Sequence, residues 1–368
     1  MKRSIAFLIA IFLSFSLVAC SGSQYEPVPS TDEEASTVMT LTLGDKEYEV
    51  KYELYRALFL TYRDEVSGGD NSVWQGEDSD AYIQKINTLI LNRCAAIYSV
   101  FAVCEDIGYD LYSSEVDKQV DEYVASSIES EGGYGSYEGY LAALHSMNLN
   151  WSVQDLLLRY GIGLSAIDEY YIGDFDADNL GESIKLGELT YTREDVKAYY
   201  ESDECVRVLR AHIQADAYYD PAEHAQTVKD RMESVAGNES AVATVIINTG
   251  LTAPTEVING YVIGRNNLDA LYYGDMTEAA FGLSRGEVSE PIRVHNGEAD
   301  IIFILYRAEK SDEHFDNCYT EIAYVYLTDK VGKIIKEAAD GLASGVQYTA
   351  AFEALDYAAI TMNEATQD

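Results

Sequence analysis

One stretch of 35 residues, Asp275 to Glu309, constrains this chain more than any other: DMTEAAFGLSRGEVSEPIRVHNGEADIIFILYRAE. Met276, Ala279, Ala280 and Leu283 recur at helical spacing, and Gly286 stands where a helix stop belongs. Val288 to Val294 has extended character, but Pro291 offers no donor to a ladder and confines the segment to a sheet edge. His295-Asn296-Gly297 reads as a turn, because Asn-Gly accepts the positive φ of a tight hairpin. Ile301 to Tyr306 is β-branched and aromatic, and short enough to be a buried strand. The whole is an αββ unit.

Such a unit needs partner strands, and the preceding seventy residues supply them. Val206 to Ala215 alternates, with Leu209, Ala211, Ile213 and Ala215 on a core face and Arg210, His212 and Gln214 on the other. Pro221 opens a helix over Ala222–Val235, the position a proline favours. Ala241 to Ile247 is an apolar run, and Tyr261 to Ile263 is a short strand between Gly260 and Gly264. The order is strand, helices, strand, helix, strand, strand.

The region before it reads differently. Val38 to Val50 forms a small hairpin about Gly44-Asp45. Helices follow at Leu54–Val66 and, after a loop over Ser67–Asp80, at Ala81–Ile107. The second carries Ile83, Ile86, Ile90, Cys94, Ile97, Phe101 and Cys104 on one stripe and stops at Gly108. Ser114-x-x-Asp117, Ser136, Ser152-x-x-Asp155 and Thr192-x-x-Asp195 open four more helices. Gly161 and Gly163 loosen the third of these. Gly132-Gly133-Tyr134-Gly135 has no following Lys-Ser/Thr and no preceding strand, so it is not a phosphate loop. In the tail, Ile322–Leu327 is strand-like, with helices at Lys333–Leu342 and Ala350–Leu355.

Composition limits the partners. Asp and Glu number 63 against 25 Lys and Arg, a formal net charge of −38, so nucleic acid phosphates find nothing to neutralise them. The 30 Tyr offer apolar faces with polar tips, suited either to a helical core boundary or to cradling unfolded chains. No CxxC or Cys/His spacing suggests a metal, and no motif calls for a cofactor. Cys94, Cys104, Cys205 and Cys318 read as buried free thiols. The first 19 residues have Lys2 and Arg3 before an apolar run, Ile5 to Val18, as a signal peptide does. Leu17-Val18-Ala19-Cys20 resembles the bacterial lipobox, which implies cleavage before Cys20 and a lipid on its thiol. Residues 20–37 are then a flexible tether.

With these elements in place, the C-terminal half resembles the parvulin-type peptidyl-prolyl isomerase domain. Arg210-Ala211-His212-Ile213 matches its first strand. Met276, Ala279-Ala280-Phe281 and Leu283 match its late helix, Gly286-Glu287-Val288-Ser289-Glu290-Pro291 the following turn, and Asp300 to Leu305 its closing strand. The layout is similar to exported foldases of the PrsA and SurA type. The resemblance implies a multidomain chain: a mainly helical chaperone-like domain over 38–202, an α+β parvulin-like domain with an antiparallel or mixed sheet over 203–309, and a C-terminal helical segment, 310–368, packing on the helical domain. It implies unfolded or newly secreted polypeptides as partners, no cofactor, and a site outside the cytoplasm on the outer face of the cell membrane.

Prolyl isomerisation needs no nucleophile. Its barrier of about 18–20 kcal/mol comes from amide resonance. A site lowers that barrier by desolvating the bond and binding its twisted form best. The resemblance makes Met276 and Phe281 the proline socket and His212 part of a hydrogen-bonding wall. A second family histidine is replaced by Asp300, which is expected to hold one His212 tautomer if the strands adjoin. That departure leaves two functions open: a tethered folding factor with prolyl isomerase activity, and a non-catalytic holdase. A surface ligand-binding lipoprotein is a third.

Overall fold

The computed structural model describes residues 31–75, 78–130, 133–173, 183–186, 189–214, 220–249, 254–266, 274–295 and 300–362. The leader, Cys20 and the Asn296-Gly297 turn lie outside them. The described residues fall into two compact units, one formed by residues up to 167 together with 334–362, the other by 168–333. The sequence reading put its boundaries elsewhere, at 202/203 and 309/310. The capped helix before the parvulin-like strands and the residues just after them instead belong to the second unit.

In the first unit, β1 (Thr37–Leu43) and β2 (Lys46–Lys51) form the hairpin, turning at Gly44 with φ 65°. The tail returns as β9 (Gln347–Tyr348) on the other side of β1, pairing Met39 with Tyr348. Helices α1 (Tyr52–Ser67), α2 (Ser79–Asp106), α3 (Ser114–Glu129), α4 (Tyr137–Ser146) and α5 (Trp151–Tyr171) follow, with a 3-10 turn at Asn71–Trp74 inside the expected loop. The stripe of α2 is core: Ile86, Ile90, Cys94, Ile97 and Cys104 are all fully buried. Each such aliphatic side chain contributes about 1.5–3 kcal/mol relative to exposure.

Two helix starts sit one or two residues before the expected caps. Ser113, not Ser114, accepts from the Val116 amide, and Asn150 accepts from the Val153 amide at 3.0 Å. Gly163 does not loosen α5; a Cβ there would lie 2.7 Å from Val100 Cγ1, so glycine lets α2 and α5 approach closely. The tail differs most. Ile322 to Leu327 is helical, part of α12 (Tyr319–Ser344). Ile322, Leu327, Val331 and Ile335 lie at helical intervals and are buried, so tertiary burial overrides the β propensity of the run.

The second unit holds β3 (Ser183–Leu186), β4 (Leu189–Thr192), α6 (Arg193–Glu201), β5 (Cys205–Gln214), α7 (Pro221–Ser234), α8 (Glu239–Ile247), α9 (Pro254–Asn259), β6 (Tyr261–Gly264), α10 (Gly274–Gly282), β7 (Ile292–His295), β8 (Asp300–Arg307) and α11 (Asp312–Asn317). Thr192 and Asp195 make a full capping box on α6. Four strands form an antiparallel sheet in the order β6-β5-β8-β7. Both faces are covered. Leu209, Ala211, Ile213, Ile302, Ile304 and Tyr306 pack under α7, α8 and α9. Val206, Val208, Phe303 and Leu305 pack under Met276 and Ala280 of α10.

The GEVSEP block is a register clamp. Gly286, at φ 86°, donates to the Arg307 carbonyl, Arg307 donates back to Glu287, and Ser289 donates to Leu305, whose amide is accepted by the Ser289 hydroxyl. Pro291 then delays β7 until Ile292, so regular pairing is shorter than the extended character of Val288–Val294 suggests.

Candidate functional site

The α10-covered face of the sheet gathers most of the expected site residues. His212 of β5 sits directly across from Phe303 of β8, their rings 5.4 Å apart and tilted by 50°. Met276 is 6 % exposed and packs into the same cluster, where Phe281 is only partly buried. The Arg265 guanidinium lies 4.1 Å from the centre of the Phe281 ring. Helix α10 thus presents Met276 and Phe281 to the face that carries His212.

For Asp300 only the backbone register is described. The register pairs it with His295, whereas His212 pairs with Phe303. Three residues separate positions 300 and 303. The offset is odd, and strand alternation therefore assigns position 300 to the face opposite His212. The expectation that Asp300 holds the His212 tautomer falls on a side chain outside the described residues.

Two further residues complete the face. Arg210 is half-buried, with its guanidinium 4.0 Å from the Tyr261 ring centre and 4.9 Å from that of Phe303. Its Nε is buried and makes no hydrogen bond. The alternation of β5 already put Arg210 beside His212, but nothing in the sequence said that Tyr261 and Phe303 would close on it.

At the edge of the unit lies a different polar network. Arg207 is 5 % exposed; it donates to the carbonyls of Asn259, Glu309 and Ile258 and pairs with Glu239 at 2.8 Å. Beside it, the Tyr200 hydroxyl accepts from the Ser311 amide and lies 2.8 Å from His314 Nδ1. Burial, reinforced by the Arg207 charge, pushes the His314 pKa down to about 4. Asp168 shifts the other way, up to about 6, because burial and then Glu169 disfavour its charge. Among the described residues no cluster of His, Cys, Asp and Glu could hold a metal.

The first unit has its own concavity, of about 470 Å³, running along β2. Glu47, Glu49, Glu53, Glu105 and Asp155 line it with Tyr48, Tyr98 and Tyr112. Tyr48 and Tyr98 stack at 5.3 Å, and Tyr98 donates to the Glu49 carbonyl on the β2 edge. Burial and the adjacent Glu105 raise the Tyr48 pKa, so the ring stays a neutral donor.

No family model and no curated protein matches this chain. Solved structures do. The foldase protein PrsA from Lactococcus lactis is 15% identical with a TM-score of 0.23, covering 89% of this chain and 99% of that one. PrsA from Bacillus subtilis is 16% identical with a TM-score of 0.23, covering 84% and 93%. The foldase protein PrsA from Streptococcus pneumoniae is 16% identical with a TM-score of 0.24, covering 85% and 97%. Scores this low carry no argument about activity, which has to be read from the residues.

Proposed function

We propose that this protein is an extracytoplasmic folding factor, tethered through a lipid on Cys20, that binds unfolded secreted chains and isomerises Xaa-Pro bonds. The observation that carries the reading is the convergence of His212, Phe303, Met276 and Phe281 on one face of an antiparallel sheet. An apolar surface beside an oriented imidazole is what prolyl isomerisation asks of a site. The surface desolvates the amide, and the imidazole interacts with the twisted bond in preference to either planar form. Met276 and Phe281 receive the proline ring, and His212 provides the polar wall. No metal or nucleophile enters.

A holdase without turnover is the second reading, favoured by the Tyr- and carboxylate-lined groove along β2. Aromatic faces and hydroxyls suit extended chains of varied sequence. The two readings separate in a protease-free cis-Xaa-Pro peptide assay. Isomerisation above the buffer rate, reduced in His212→Ala, supports the enzyme. Equal rates for wild type, His212→Ala and buffer leave only the holdase, which then has to delay aggregation of a denatured secreted client.

A further inference from the structure

We propose that the groove along β2 binds extended segments of unfolded chains that carry Lys or Arg at alternate positions with an apolar residue between them. The inference rests on the holdase reading of that groove and names the segments it takes. The groove measures about 470 Å³, inside the range of about 300–1,000 Å³ in which ligand sites fall. A chain of rings shapes it. Tyr48 stacks on Tyr98 at 5.3 Å, Tyr98 lies 5.7 Å from Phe101, and Phe101 lies 6.1 Å from Tyr112. The first three are buried. Tyr112 is 64 % exposed, more than any other bulky apolar side chain among the described residues. It is nonetheless held. The guanidinium of buried Arg159, itself fixed by Asp155 and Asp117 at 2.9 Å, lies 4.9 Å from its ring centre. An open ring fixed by buried neighbours, with half-buried Leu156 lining the same groove, is a seat for one apolar side chain.

Charge complementarity selects the flanking residues. Five carboxylates line the groove, those of Glu47, Glu49, Glu53, Glu105 and Asp155, against one base, Lys51. Lys51 pairs with Glu49, and Asp155 with Arg159, whereas exposed Glu47 has no basic partner among the described residues. Strand alternation turns Glu47 and Glu49 to one side of β2, about 7 Å apart, and buried Tyr48 to the other. An extended ligand has the same period. Basic residues two apart therefore meet Glu47 and Glu49, while the residue between them turns to the ring side. The Tyr98 hydroxyl already takes the Glu49 carbonyl on this edge, so side chains rather than an added strand carry the recognition. The same carboxylates repel an acidic segment.

The test uses the full chain and four fluorescent peptides read by anisotropy: Ser-Lys-Phe-Lys-Ser, Ser-Gln-Phe-Gln-Ser, Ser-Lys-Ser-Lys-Ser and Ser-Lys-Lys-Phe-Ser, the last with the same composition as the first and broken spacing. The Lys-Phe-Lys peptide is expected to bind about tenfold tighter than the Gln peptide, the size of two exposed ion pairs, and about fivefold tighter than the other two. Glu47→Gln with Glu49→Gln should remove the preference for Lys over Gln, and Tyr112→Ala the preference for Phe over Ser. All three side chains are exposed, so the variants keep the fold. A control pair of exposed carboxylates in the second unit, Glu194→Gln with Glu278→Gln, should change neither preference. No binding of any peptide, equal affinities for the Lys and Gln peptides, or a Lys preference that survives Glu47→Gln with Glu49→Gln would overturn the inference. Equal losses in the two double variants would overturn it as well, since net charge alone would then attract the peptide. So would displacement by CaCl2 but not by NaCl of the same ionic strength, which would make the carboxylates a cation site. Aggregation of a denatured secreted client separates the two claims. Lys-Phe-Lys selectivity with no delay of aggregation sinks the holdase and leaves the groove. Delay by wild type and by Glu47→Gln with Glu49→Gln alike, without peptide preference, sinks the groove and leaves the holdase.

Discussion

Acidification provides a test of the second unit, because two of its buried groups titrate in opposite senses over the same range. His314 has a folded pKa near 4, below its ordinary 6.5, so the folded state holds fewer protons than the unfolded one between those values. Its contribution is complete above pH 6.5 and is lost as the pH falls to 4. Asp168 has a folded pKa near 6, above its ordinary 3.8, so its folded state holds more protons. Its contribution is complete below 3.8 and is lost as the pH rises through 6. Going from about pH 7.5 to about pH 5, proton linkage gives a loss of about 2 kcal/mol through His314 and a gain of about 1.5 kcal/mol through Asp168. In wild type the two nearly cancel. Asp168→Asn should uncover the loss, and His314→Gln the gain. The assay is hydrogen exchange, corrected for its intrinsic pH dependence, on peptides covering 205–214 and 300–307 for His314 and 160–173 for Asp168. The common offset of each variant is irrelevant; the pH slope relative to wild type is diagnostic. Slopes that match wild type within about 0.5 kcal/mol would refute the burial argument for that residue.

Other outcomes follow from single contacts. Arg207→Met leaves Glu239 and three carbonyls without their cation and should destabilise the second unit by about 3–5 kcal/mol, read as faster exchange of the β5 and β8 amides. Gly163→Val drives a side chain into Val100 and should cost about 1–3 kcal/mol in urea unfolding followed by the fluorescence of Trp74 and Trp151; an unchanged midpoint would mean that α2 and α5 are less tightly packed than described. Thr192→Ala removes the capping box of α6 and should cost about 1 kcal/mol, seen as fraying of α6 amides in exchange.

Much of the fold is legible in the sequence because its signals are local. The α2 stripe, the Gly44 turn, the Thr192 cap and the alternation of β5 each announce themselves within a dozen residues. Ile322–Leu327 misleads for the converse reason: β-branched and aromatic residues carry no strand preference apart from their surroundings, and here the run is buried as part of the helix Tyr319–Ser344. The candidate site is legible in part. The resemblance singles out His212, Met276 and Phe281, which the structure gathers on one sheet face, and Arg210 was visible on the His212 face. Its meaning was not, because Tyr261 and Phe303 reach it only through strand pairing across about fifty and ninety residues of sequence. The register that pairs His212 with Phe303 is likewise a quantity that propensity does not contain.

The return of the tail to β1 bears on how the chain matures. Thr42 donates to the Gly345 carbonyl, and Thr349 donates to the Thr37 carbonyl, across more than 300 residues. Closing a flexible loop of that length costs about 5 kcal/mol in chain entropy. That cost shrinks if residues 168–333 have already collapsed into their own unit. A chain emerging from its N-terminus therefore carries an unsealed β1 edge until residues 345–349 arrive. For a protein proposed to attend the folding of others, this is a period of its own exposure, and it ends only when β9 closes the sheet.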